Sequence, residues 1–570
     1  NPTLLEQNDS ALINSALIYG GTRISEDVIA LYTSQKGVIL LDREGRVTGR
    51  IDKSVGLRVN DVKDIFMDRD RNLWIALSNG IANANYYSPL SFFGDESGIS
   101  GNVQAIMRHA GELFVGTSTG LYSRNPYAER DKRKFAPNKD IPYQVWDLHS
   151  SEDRLLIGTG NGLYRWNNGT PKLILQKNTN TIDVLDNGDI IITGADGVFI
   201  LNAYLELIES LAAPNNGTVS SVVAPNPLKG DAEIWAGLFN EGVFRVNREN
   251  GQYTFDAYND FDGLIPGAWT KPFLLDDEVV FGSPAGLLMF IDEEIVKQSL
   301  DDSLKDDPDY YRGYFDVTEL EDSLYLSAIS LLAQGNGRTW ACIDEQLLYF
   351  ENGNAIVKPF MGIGYGRNNQ FYLETDGTMW VGTADGLIRY QEQPDKIYQA
   401  DFTTIFSRIS VNERPLMEGV FGSIKEGILL GQKSQKTLDY SDNSITFEFA
   451  APFFENDHPV MYSWKLEGHD NEWTEWSTET KAVYTNLYEG DYTFLVKARN
   501  VFGVESEIAQ YEFSIETPWF RTTLAYIGYG ILAILLVFIA IRISVMRLKA
   551  KNIKLERIVS ERTAEIAGKN

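Results

Sequence analysis

The sequence predicts an all-β protein: a β-propeller of four-stranded blades, an immunoglobulin-like β-sandwich, then one transmembrane helix and a coiled-coil helix. Three observations carry this. A hairpin pattern recurs along the first 390 or so residues, residues 444–503 alternate apolar and polar side chains, and residues 522–541 are uncharged throughout. The boundaries that follow are 1–397 for the propeller, 402–516 for the sandwich, 522–541 for the span and 542–570 for the coil.

The repeat is clearest at 376–391, DGTMWVGTADGLIRYQ. Asp376 and Gly377 make a turn, Met379 to Val381 a buried strand, Asp385 and Gly386 a second turn, and Leu387 to Tyr390 a second strand. One hairpin is not stable alone in water, so copies matter. They stand at 72–85 (NLWIALSNGIANAN), 112–125 (ELFVGTSTGLYSRN), 154–167 (RLLIGTGNGLYRWN), 189–202 (DIIITGADGVFILN), 233–247 (EIWAGLFNEGVFRVN) and 278–292 (EVVFGSPAGLLMFID). Degraded copies stand at 338–350 (RTWACIDEQLLYF) and 27–42 (DVIALYTSQKGVILLD). That is nine copies, mostly about 36–45 residues apart, with a wider gap before Trp340. A period near 40 with short strands and Gly turns points to a propeller. A sandwich shares the strand content but would not repeat its sequence. The Trp or aliphatic residue ahead of each Gly-Thr is expected between blades.

After Tyr390 the signature stops. Ile445, Phe447 and Phe449, then Tyr462, Trp464 and Leu466, then Tyr492, Phe494 and Val496 alternate with polar residues. Turns every 8–12 residues complete the sandwich pattern. No cysteine pair marks it as antibody-type.

Residues 522–541 (TTLAYIGYGILAILLVFIAI) are long enough to cross about 30 Å of hydrocarbon as a helix. Trp519, Phe520 and Tyr526 suit one membrane interface. Residues 542–570 hold eight basic and three acidic side chains, a net +5, which leaves −33 for the rest. The basic side stays in the cytoplasm by the positive-inside rule, so repeats and sandwich lie outside, in the periplasm of a Gram-negative inner membrane. Leu548, Asn552, Leu555, Val559, Arg562 and Ile566 then form a seam spaced 4, 3, 4, 3, 4. This reads as a homodimeric coiled coil, with Asn552 setting its register. A basic amphipathic helix lying on lipid is the other reading of these residues.

Composition narrows the function. The chain has 570 residues and a net charge of −28, which argues against nucleic-acid contact. Cys342 is its one cysteine and reads as an inert core thiol, so no internal disulfide and no cysteine-based zinc site is expected. Asn1 is not a native start, so the sequence reads as a mature or trimmed product.

The pattern LWIG-T-x-x-GL resembles the two-component regulator propeller repeat of periplasmic sensor regions in bacterial membrane receptors. The spacers at 88–106 and 141–148 resemble it too, and the resemblance covers roughly residues 20–395. It departs in the count. Seven blades close a ring and the family often carries two rings, so nine copies imply either a first ring that has lost blades or a larger, irregular ring. Residues 444–503, with LEGHDNEWTEWS, resemble the triple-tyrosine domain between such propellers and the membrane, with Tyr462, Tyr484 and Tyr492 at its tyrosines. These tyrosines read as core and corner residues with hydroxyls held by backbone groups. LERIVSERTAEI, at 555–566, resembles the signalling helix ahead of histidine-kinase dimerisation domains. The resemblance implies a sensor whose output lies beyond Asn570, a histidine kinase first, with a diguanylate cyclase or phosphatase-type output as alternatives. It also implies a response regulator as partner.

Catalytic constellations are absent from the sequence. His109, His149, His458 and His469 show no HExxH spacing, and neither G-x-S-x-G nor a P-loop occurs. DAYNDFDG at 256–263 fails as a calcium loop, because the register with Gly263 sixth puts Trp269 at the bidentate position. The acidic insertion DDSLKDDPDYY, at 301–311, reads as solubilising. No metal or cofactor is expected. The remaining functional surface is the propeller mouth, where loops entering the innermost strands hold Tyr143, Trp269, Tyr365 and Arg367. Aromatic faces and one guanidinium fork suit a sugar or an aromatic anion, and an oligosaccharide is the family-level ligand. A membrane-anchored propeller enzyme and an adhesion scaffold stay open as other readings. The first needs a carboxylate pair at the ring centre.

Overall fold

A computed structural model describes residues 10–568 except 69–70, 125–134, 152–153, 168, 186, 213–218, 224–233, 239–241, 250–251, 277, 293–313, 318–327, 362, 364–369, 394–395, 397, 399–400, 423–435 and 455–458. The acidic insertion at 301–311 and His458 lie outside the described residues. The chain divides into two compact units, 1–398 and 399–570.

In the first unit each repeat is a four-stranded antiparallel sheet, and seven such sheets make a ring. Blade 1 runs Val103–His109, Glu112–Thr117, Gly120–Arg124 and Ala136–Pro137, from the innermost strand outward. Blades 2 to 6 begin with the innermost strands Val145–Ser151, Thr181–Val184, Val219–Val223, Lys271–Leu275 and Ile329–Gly335. Blade 7 comprises Phe371–Leu373, Met379–Thr383 and Gly386–Tyr390, and its outermost strand is Leu90–Phe93, from ahead of blade 1. The ring is thus closed by pairing its two sequence ends within one sheet. Arg108 of blade 1 adds a two-pronged ion pair to Glu374 of blade 7, at 2.7 and 2.8 Å.

The Gly-Thr-x-x-Gly signature has a local cause. The hydroxyls of Thr117, Thr159, Ser283 and Thr383 each donate to the carbonyl of the glycine three residues on, which fixes the turn. The two glycines answer to packing. A Cβ on Gly382 would stand 2.6 Å from Val103 of blade 1, and one on Gly386, at φ +133°, would stand 2.3 Å from the Phe93 carbonyl. The first glycine lets neighbouring blades approach, and the second lets the outermost strand close the sheet. In the degraded copy at 338–350, Asp344 and Glu345 take the left-handed turn instead, at φ 48° and 65°. This turn tolerates non-glycine residues, which is why the signature faded there without loss of the hairpin.

Blade contacts follow the expectation for the Trp of the repeat, in the degraded copy as well. Trp235 packs on Phe281 and Phe315 of blade 5, Trp340 on Met379 and Tyr390 of blade 7, and Trp380 on Val103 and Ile106 of blade 1. All three are under 5% exposed.

The copies at 27–42 and 72–85 build two sheets ahead of the ring. One is Ile18–Arg23, Ile29–Thr33, Val38–Leu41 and Val47–Ile51, and the other is Val62–Met67, Leu73–Leu77 and Gly80–Ala84. They share a core of Ala30, Val38, Leu40, Val62, Leu73 and Ile75. The helix Ser10–Ser15 covers the first sheet's other face through Ile13, against Ile39 and Leu41. The second sheet has three strands among the described residues, because the next strand, Leu90–Phe93, belongs to blade 7.

The second unit opens with a sandwich. One sheet orders Arg414–Gly422, Ile405–Val411, Ile445–Ala450 and Lys481–Tyr484, and the other Lys436–Leu438, Ala509–Ile515, Gly490–Arg499 and Met461–Glu467. All pairs are antiparallel except Lys436–Leu438 with Ala509–Ile515. The predicted alternation places Ile445, Phe447, Phe449, Phe494 and Val496 in the core, where Phe447 and Phe494 stack at 4.0 Å. A single helix, Thr523–Ala567, ends the unit. The Thr522 hydroxyl accepts the Ala525 N–H to cap it. The helix is long and apolar enough to cross a membrane and none of it is buried.

Candidate functional site

Each ring blade sends one loop into its innermost strand, and on this rim the turns between second and third strands also emerge. Tyr143 lies in the loop entering blade 2. Asn138 shapes that loop by accepting the N–H groups of Asp140 and Ile141. Gln144 then donates to Gln104 of blade 1 at 2.9 Å, so Tyr143 sits between two fixed points and is 41% exposed. Trp269 lies in the loop entering blade 5, after the buried Leu264 and a turn closed by Ala268 N–H on Ile265. Tyr365 and Arg367 lie outside the described residues.

Trp269 lines a cavity of about 240 Å³ between blades 5 and 6, together with Pro284, Ala328, Ser330, Asp344 and Glu345. The left-handed turn of the degraded repeat forms one wall. Asp344 exchanges two bonds with Ala328, its N–H to the Ala328 carbonyl at 2.9 Å and its carboxylate from the Ala328 N–H at 3.0 Å. Behind this wall Ser330 Oγ donates to the Cys342 carbonyl, and burial pushes the Cys342 thiol above its ordinary range. Burial also lowers the ammonium of Lys271, two residues past Trp269. One aromatic side chain and two carboxylate side chains line the cavity, a set that suits a hydroxyl-rich ring. Tyr143 is not among its lining residues, so Tyr143 and Trp269 share a rim without sharing a cavity. The signal for Asp344 and Glu345 was in the sequence: they replace the glycine turn of the other copies.

On the innermost strand of blade 2, Asp147 joins blades, with the Asp183 carboxylate of blade 3 near enough to add to the rise in its pKa that burial causes. It follows an irregularity in the pairing of Val145–Ser151. Its two oxygens accept the N–H groups of Leu148 and, from blade 3, Ile182. Burial raises its carboxyl to about 7, and those two donors pull the other way. Asn259 and Asp262 of the rejected calcium loop cap each other's backbone in a short 3-10 turn. Among the described residues no three His, Cys, Asp or Glu side chains gather as a metal site.

In the sandwich each of the three tyrosines has a hydrogen-bond partner. Tyr462 accepts the Ala451 N–H at 3.0 Å, and Tyr492 donates to the Tyr488 carbonyl four residues upstream, a tyrosine corner. Tyr484 differs from the expected backbone pairing. Its hydroxyl donates to the Asp470 carboxylate at 2.7 Å, which also accepts the Leu466 N–H. Burial, then Asp470, raises the Tyr484 phenol well above its ordinary value. Tyr484 and Asp470 edge an open recess of about 770 Å³ with Trp464, His469, Trp473 and Lys481. Beside it Lys497 lies over Trp473 and Trp476, and Arg499 lies 4.4 Å from the Trp476 ring centre. The WTEWS stretch therefore builds a ladder of alternating rings and cations.

Comparison with known proteins agrees with this architecture. The Y_Y_Y domain family matches residues 454–517. Histidine kinase P4 of Formosa agariphila is 24% identical over 497 residues, covering 74% of this chain and 35% of that protein. The chain thus spans about a third of the length of that relative. The extracellular domain assigned to the hybrid two-component system BT3049 of B. thetaiotaomicron superposes with a TM-score of 0.60 at 18% identity, covering 88% of this chain and 68% of that one. A second such domain, from BT4673 of the same organism, aligns over 88% of this chain and 70% of that one at 16% identity, with a TM-score of 0.41. The chain carries a Y_Y_Y domain after a β-propeller and has the fold of the extracellular part of a two-component sensor.

Proposed function

We propose that this chain is the ligand-sensing and signal-transmitting part of a bacterial two-component sensor, with ring and sandwich in the periplasm and the end of the long helix in the cytoplasm. The observation that carries the reading is the order of parts: a closed ring, a Y_Y_Y sandwich, then one unbroken helix with an apolar first half and a basic, heptad-patterned second half. The output is a histidine kinase acting on a response regulator, as the name of the Formosa agariphila relative suggests. The chain works as a homodimer, and a ligand shifts the balance of two dimer states by its difference in affinity for them. The two sheets ahead of the ring are the end of a further ring. Trp74 supports this, being half-buried where Trp235, Trp340 and Trp380 of the ring are enclosed by the next blade.

The ligand is an oligosaccharide held against Trp269 in the cavity between blades 5 and 6. A thermal-shift panel of oligosaccharides on the solubilised full chain tests this. At least one sugar should raise the melting temperature of the wild type and lose that effect with Trp269→Ala. A shift that survives Trp269→Ala, or no shift from any sugar, contradicts the site.

A further inference from the structure

We propose that two copies of this chain pair along one uninterrupted seam from Leu524 to Ile566, so that the contact inside the membrane and the coil beyond it share a single heptad register. This rests on the dimeric reading above and adds where the dimer touches within the membrane.

The helix Thr523–Ala567 has no break and contains no proline, so one heptad line can run from end to end and face a partner through a left-handed supercoil. Counting back from the 548–566 seam in steps of 3 and 4 gives Val545, Ile541, Phe538, Ile534, Ile531, Ile527 and Leu524. Every one is large and apolar, and the step never slips where the chain leaves the apolar stretch. Within the membrane stretch nearly all residues are apolar, so the small ones discriminate. Ala525, Gly528, Gly530, Ala533 and Ala540 all fall off this line. Gly528 and Gly530 flank it at the outer end, beside Ile527 and Ile531. A Cβ at either glycine would meet nothing within 4 Å in its own chain. Each lowers helix propensity by about 1 kcal/mol relative to Ala. Flanking a seam, they let two backbones approach closely.

The occupant is a second copy, parallel, for reasons in the inner half. Val545, Asn552, Val559 and Ile566 occupy one core position of the heptad and Ile541, Leu548, Leu555 and Arg562 the other. β-branched residues at the first and leucines at the second favour two parallel strands, and a buried Asn at the first fixes their register. The flanking positions agree: Lys551 of one copy falls opposite Glu556 of the other, five residues on, where parallel coils place their interhelical ion pairs. Arg562 interrupts the core, and its guanidinium already leans toward Glu565 at 3.6 Å. The opposite face, with Ala550, Arg557 and Ala564, has no such pattern.

Disulfide scanning of the full chain in native membranes tests this. Cys342 is wholly buried and stays in place, with the otherwise unsubstituted chain as blank. Single cysteines are placed at Ile527, Ile531, Ile534, Phe538, Val545, Leu548 and Leu555, and on the far face at Tyr529, Leu536, Ile543, Ala550 and Arg557. The expected result is oxidative cross-linking several-fold above the far face at every seam position, on both sides of Arg542. Strong cross-linking at 548 and 555 with a different face, or none, in 527–538 overturns the continuous seam and leaves the dimer standing. No cross-linking at any position overturns both.

Discussion

At the scale of single residues, the ring is organised by polar groups that satisfy backbone at the points where sheets meet. Asp147 is the most informative. Its carboxyl, raised by burial to about 7, binds a proton more tightly in the folded chain than in the unfolded one, where an ordinary carboxyl lies near 3.9. Its contribution to stability is therefore greatest at low pH and is lost as pH rises from about 4 through about 7. Asp147→Asn should flatten that part of the dependence. The melting temperature of wild type minus variant, followed from pH 5 to pH 8, should fall with pH. A difference that rises would mean the two N–H donors outweigh burial. Residue-level chemistry was unevenly legible beforehand. Trp269 was found as an aromatic in an entering loop, and it does line a cavity. Its companions Asp344 and Glu345 sit 75 and 76 residues further on. Their departure from the glycine turn was visible in the sequence, but only ring geometry brings blade 6 against blade 5, so nothing local tied them to Trp269. The Tyr484 hydroxyl was expected on backbone for the same reason, since its partner Asp470 lies on a separate turn.

At the scale of elements, the hairpin repeat was legible because one physical problem is solved the same way each time. A Thr or Ser hydroxyl closes the turn, one glycine admits the neighbouring blade, and a second admits the outermost strand. What the repeats did not reveal was which strand completes the last blade. Leu90–Phe93 falls in the spacer after the copy at 72–85, yet it pairs with Gly386–Tyr390 some 300 residues away, and this accounts for seven sheets in the ring and two before it. Closure gives a test. Gly386→Ala should destabilise the chain by clashing with the Phe93 carbonyl, on top of the roughly 1–3 kcal/mol of a strained backbone. Gly169→Ala carries similar strain at φ +94° but meets nothing within 4 Å. Thermal melts should place Gly386→Ala several degrees below Gly169→Ala. Equal melting temperatures would mean the strand does not hold the ring shut.

At the scale of the whole molecule, charge and hydropathy divide the chain. The acidic mass, −33 over residues 1–541, is separated by one apolar stretch from a +5 tail. The proposed transmembrane reading rests on that division, which was legible at once because composition needs no folding to be read. The central claim is sidedness. Single cysteines at Glu475 in the sandwich and at Lys554 in the tail are labelled in intact spheroplasts with a membrane-impermeant maleimide. The account predicts that the cysteine at 475 reacts directly and that the one at 554 reacts only after the membrane is opened. Equal labelling of both before opening would contradict it.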